Sequence, residues 1–105
     1  MEVFKFGGWA VGTEVTTRKS VEWVKKGVER AREAKKRMPL VVVSATEGTT
    51  RTLVKVAELK NKGEEKSAKI LLDSLIRRHF DLARLLGVGR SATREVEGEF
   101  EELRA

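Results

Sequence analysis

Glu2-Val3-Phe4-Lys5-Phe6-Gly7-Gly8-Trp9-Ala10-Val11-Gly12-Thr13-Glu14 is the stretch on which the fold turns. Glu2 to Phe6 combines aromatic and β-branched residues and is cut off by a glycine pair, which predicts a strand. A helix is expected to open near Thr13 or Thr17 and to run to about Arg37, with Val21, Val24, Val28 and Ala31 at steps of three and four. Pro39 is expected to close it off. Leu40-Val41-Val42-Val43-Ser44 then reads as a second strand, apolar on successive residues and so expected to be covered on both faces. Strand, long helix, strand is a βαβ unit with parallel strands.

Further along, Ala45 to Thr49 reads as a loop, and Thr49 or Thr50 as the cap of a helix that stops at Asn61-Lys62-Gly63. Glu64 to Leu86 carries apolar residues around a wide face and is expected to be central to the core. Ala92 to Arg104 predicts a last helix with Val96, Phe100 and Leu103 on one side. The expected fold class is therefore α/β: a helix-rich βαβ unit of two parallel strands and about four helices in a single domain, 1–105. Two parallel strands leave both sheet edges unpaired, so oligomerisation or a partner chain is expected to complete the sheet.

Composition narrows the function classes. With no cysteine and a single histidine, His79, no disulfide and no metal site is expected. No apolar run is long enough to span a membrane and no secretory leader is apparent, so a cytoplasmic protein is expected. Charged residues make up 36% of the chain, with no glutamine and one asparagine, a composition typical of thermophiles. Between Arg18 and Arg37 lie nine basic and three acidic residues, while five glutamates crowd the end from Glu95. That basic stretch lacks the aromatic and glycine patterns of nucleic-acid readers and reads first as a solvated helix face. Trp23, within the first helix, is expected to pack.

The chemistry gathers at two glycine loops. A strand that ends in glycines before a helix brings N–H groups and a helix dipole to one point, which suits phosphate. Gly7 and Gly12 have P-loop spacing, yet Thr13-Glu14 stands where Lys-[Ser/Thr] belongs, and the dinucleotide fingerprint is absent too. Lys5, two residues ahead of the glycine pair, could face the anion approached by that backbone. The second strand ends similarly, in Ser44-Ala45-Thr46-Glu47-Gly48-Thr49-Thr50. In parallel sheets ligands bind beyond the carboxyl ends of strands, where both loops lie.

Val3-Phe4-Lys5-Phe6-Gly7-Gly8-x-x-Val11-Gly12-Thr13 resembles the start of an aspartokinase, usually Lys-Phe-Gly-Gly-Thr-Ser-Val. Val41-Val42-Val43-Ser44-Ala45-x-x-Gly48-x-Thr50-x-x-Leu53 resembles the second strand, loop and helix of that family. The resemblance covers residues 1 to about 59. It implies the N-terminal part of the amino-acid kinase fold and ATP- and magnesium-dependent phosphorylation of the aspartate side-chain carboxylate. By the same resemblance Lys5 is catalytic and neutralises transferring phosphate oxygens, Gly7, Gly8 and Gly48 bind phosphate, and Ser44 and Thr50 lie at the aspartate substrate.

Four positions depart from the family pattern. Trp9 and Ala10 replace its Thr-Ser pair, Glu47 adds a carboxylate to the second loop, and Arg51 replaces an Asn or Asp. A carboxylate ~4 Å from phosphate at an effective dielectric of ~20 is unfavourable by ~4 kcal/mol. The family's nucleotide-binding half has no counterpart in the sequence, so the chain alone is expected to be inactive, with a second copy or a chain supplying that half as partner. Two alternatives accompany this reading: a non-catalytic regulatory or assembly module on the kinase-derived scaffold, and, more weakly, a basic nucleic-acid-associated protein.

Overall fold

The computed structural model describes residues 1–104 and is an α/β chain of two parallel strands and four helices. It divides into two compact units, Met1–Gly48 and the residues from Thr49 onward. No described helix is long and apolar enough to cross a membrane.

In the first unit, β1 (Val3–Phe6) and β2 (Leu40–Val43) form a two-stranded parallel sheet, with Val3 beside Leu40 and Phe6 beside Val43. Between them α1 (Glu14–Glu33) provides the crossover. Phe4 and Phe6 stack on one face of β1, their ring centroids 6.1 Å apart. Gly27 of α1 receives the Phe4 ring; a Cβ there would lie 2.6 Å from Phe4 Cε2. The missing side chain is what lets helix and sheet approach. At the N-terminus of α1, Thr13 Oγ1 accepts from the Thr16 N–H at 3.2 Å, and the Thr13 N–H donates back to Thr16 Oγ1 at 3.3 Å. This is a reciprocal cap with threonine in the place usually held by glutamate or glutamine.

Three expectations need correction here. The first helix ends at Glu33, not near Arg37. Lys35 adopts a left-handed conformation, φ 52°. The Lys35 and Lys36 N–H groups then close back on the Arg32 and Ala31 carbonyls, a Schellman turn that ends the helix before Pro39 can act. Secondly, β2 is not covered on both faces: Leu40, Val41, Val42 and Val43 are 38 to 55% exposed. An apolar run shows that a strand can be buried, not that the chain has enough elements to bury it. Thirdly, Trp23 is 60% exposed, because its position on α1 falls beside the stripe of Ser20, Gly27 and Ala31 that the helix buries.

The second unit is helical. α2 (Thr49–Asn61) is followed by α3 (Glu65–Leu85) and α4 (Arg90–Arg104). Gly63 and Gly87, at φ 78° and 71°, end α2 and α3 in the left-handed turns that glycine makes without strain. Ala68, Leu72, Leu75 and Ile76 of α3 are buried and form most of the core, as its wide apolar face predicts. No described residue of α4 is fully buried. It attaches through Phe100, edge-on to Phe80 at 5.5 Å and to His79 at 5.8 Å, and through Arg104, which donates to Asp73 at 3.2 Å.

Candidate functional site

The carboxyl ends of β1 and β2 bring the two glycine loops into contact within the first unit. Gly8 N-terminally opens a 3-10 turn, Gly8–Val11, that sequence periodicity does not announce. The turn uses its own polar groups: the Ala10 N–H donates to the Gly7 carbonyl at 3.0 Å, and the Gly12 N–H to the Trp9 carbonyl at 3.3 Å. Its link to the other loop is the Glu47 N–H, which donates to the Gly8 carbonyl at 3.1 Å.

These contacts explain the glycines one by one. A Cβ on Gly8 would lie 3.1 Å from the Ala45 carbonyl oxygen and from Glu47 Cα and N. One on Gly12 would lie 3.0 Å from the Gly8 carbonyl oxygen and 3.3 Å from Glu47 Cβ. Both glycines exist, structurally, to let the second loop lie against the first. Gly7 is different: it has ordinary extended backbone and nothing within 4 Å of its Cβ position. Gly48 turns the chain at φ 81°, a conformation that suits glycine.

The polar side chains predicted for the site are differently disposed. Strand alternation sets Lys5 on the face opposite Phe4 and Phe6, exposed to solvent, beside Val42 in register. Ser44 continues the ladder through its N–H, which donates to the Phe6 carbonyl at 3.0 Å, while its hydroxyl donates to the Ala45 carbonyl at 2.8 Å. Thr50 is exposed in the first turn of α2, in the second unit. Its neighbour Thr49 is the buried one, and Thr49 Oγ1 accepts from Arg78 of α3 at 2.9 Å. Trp9, at the position that departs most from the motif, is 70% exposed.

Two groups escaped sequence reasoning. Ser20 Oγ lies 2.8 Å from the Ala10 carbonyl and 3.0 Å from the Thr16 carbonyl, and shares its proton between them, fastening α1 to the 3-10 turn. Thr17 Oγ1, one turn earlier, is buried with no hydrogen-bond partner among the described residues. No local signal distinguishes either from an ordinary helix hydroxyl; only the packed loops do. Elsewhere, two open depressions of about 630 and 480 Å³ are lined by none of the predicted site residues. Arg104 and Asp73, paired with each other, border the first, and Arg30 and Glu2 the second.

The site is thus a pair of glycine-bearing loops at the carboxyl ends of two parallel strands, a place where α/β proteins hold small ligands. In comparisons with known proteins, the chain matches no family model, no curated protein and no solved structure.

Proposed function

We propose that this chain is an aspartokinase-type protein built on the N-terminal part of an amino-acid kinase scaffold. One observation carries the reading: the two loops whose sequences resemble that family lie against each other, with Gly8 at the Ala45–Glu47 backbone. In this reading Lys5 supplies a cation for transferring phosphate oxygens, and Gly7, open above its Cα, supplies an N–H. Gly8 and Gly48 shape the phosphate-side loops, and Ser44 and Thr50 contact aspartate. ATP and magnesium are held mainly by a further segment, supplied by a second polypeptide. Glu47 opposes any anion brought to the second loop, so binding by this chain alone is weak.

Calorimetry and turnover assays with aspartate and ATP–magnesium test this, on the chain alone and mixed with a chain that carries the nucleotide half. Aspartate-dependent ATP turnover is expected only in the mixture, and is expected to disappear in Lys5→Ala with an unchanged melting temperature. No turnover in any mixture sinks the kinase reading. Tight ATP binding by the chain alone sinks the assignment of the nucleotide site to another segment.

A second reading, a non-catalytic assembly module on the same scaffold, is favoured by the exposure of Trp9 and of Leu40–Val43. It predicts a stable oligomer and no turnover.

A further inference from the structure

β2 ends the sheet with an unpaired edge. The Leu40 N–H donates to the Glu2 carbonyl at 2.9 Å and the Ser44 N–H to the Phe6 carbonyl at 3.0 Å, so the even-numbered residues turn their main chain toward β1. Val41 and Val43 therefore turn theirs away, because successive residues of a strand direct N–H and C=O to alternate sides. Among the described residues neither makes a backbone bond on that side, and both side chains are exposed, at 38 and 55%. Edges of this kind are usually guarded by charge. The outer edge of β1 is, by Lys5; from Met38 to Thr46 the β2 segment carries no charge at all.

We propose that the outer edge of β2 pairs antiparallel with the β2 edge of a second copy, making a four-stranded sheet across a two-fold axis at Val42. The register follows from two facts. Only odd-numbered residues present hydrogen-bonding groups outward, so Val41 must face Val41 or Val43 of the partner subunit. Setting Val41 against Val41 of the partner subunit would place Pro39 opposite Val43 of the partner subunit, and proline has no N–H to donate. Setting Val41 against Val43 of the partner subunit leaves every N–H in the two central pairs intact, and Pro39 then marks where the ladder stops.

Charge selects a second copy as the occupant. Carried beyond the strand, the same register sets Arg37 across from Glu47 of the partner subunit, twice by symmetry, at either end of an uncharged Leu/Val ladder. The segment is complementary to itself in charge and in apolar character, as an isologous contact requires. The inference does not depend on the kinase reading.

Val42 opposes Val42 of the partner subunit at the axis, in the non-hydrogen-bonded position where side chains come closest. Sedimentation of the chain is expected to show a concentration-dependent monomer–dimer equilibrium. Val42→Lys and Val42→Glu each place like charges at the axis and are expected to weaken the dimer roughly tenfold or more. Mixing the two variants is expected to restore a heterodimer that weakens with salt, which also shows that both are folded. A wild-type chain that stays monomeric at every concentration, a Val42→Lys dimer as tight as wild type, or a mixture that forms no heterodimer would each overturn the proposal. A monomer that pairs only with a different chain would assign the edge to that chain instead.

Discussion

Phe4 occupies the space that a side chain on Gly27 would need: a Cβ built at Gly27 falls 2.6 Å from Phe4 Cε2 and 2.9 Å from Phe4 Cζ. A glycine in a helix interior costs about 1 kcal/mol relative to alanine, so its use here marks the closest approach of α1 to β1. Gly27→Ala would recover that propensity and meet an overpacking cost of about 1–3 kcal/mol. The ring cannot retreat without leaving its stack on Phe6, so overpacking wins. The variant is expected to lose up to about 2 kcal/mol in denaturant unfolding. A variant as stable as wild type would show that the ring moves freely.

The paired loops separate two glycines that look alike in sequence. Gly8→Ala drives a methyl group toward main-chain atoms of Ala45 and Glu47, which can give way only by parting the loops. A loss of about 1–2 kcal/mol is expected, with exposure of the Glu47 amide to hydrogen exchange. Gly7→Ala meets nothing and is expected to fold as wild type. Any loss of ligand binding in Gly7→Ala then reports on its N–H and the space above it, not on folding.

Thr17 carries a buried hydroxyl without a partner, and such a group is costly. Thr17→Val keeps the β-branched shape and removes the polar atom. It is expected to stabilise the chain by about 1 kcal/mol, read as a rise in the thermal unfolding midpoint. Destabilisation would mean that a water or ligand satisfies this hydroxyl in solution.

Glu2 and Arg30 form a two-pronged pair, Arg30 Nε donating to Glu2 Oε1 at 2.8 Å and Nη2 to Oε2 at 2.7 Å. These hydrogen bonds hold the Glu2 carboxyl below the usual carboxylate range and raise the Arg30 guanidinium. A carboxyl lowered on folding contributes stability that is fully present above its unfolded value, about 4.3, and fades as pH falls through the lower folded one. The difference in melting temperature between wild type and Glu2→Gln is therefore expected to be small at pH 7, because the pair is exposed, and to vanish on acidification. A difference that grows at low pH would contradict this.

Short-range chemistry explains what could be read in advance. Val3–Phe6 and Leu40–Val43 are strands because their residues are β-branched or aromatic and are bounded by breakers, and those signals lie within a few positions of each other. Gly63 and Gly87 end helices for an equally local reason, the left-handed turn. The α3 core residues were legible because a long amphipathic period needs no knowledge of its partner. Lys35 was not legible, since a lysine carries no steric sign that it will enter the left-handed region.

Of the candidate site, the sequence alone determined the residue types and their order: a lysine, two glycine-bearing loops and a set of hydroxyls at strand ends. Tertiary structure decided what each of them does. It committed Gly8 and Gly12 to loop contact, left Gly7 open, set Lys5 on the face away from Phe4, and exposed the β2 edge. The physical reason is range. Propensity and periodicity act over one or two turns of chain, whereas contact between Gly8 and Glu47, or the lack of cover on β2, exists only after distant segments meet.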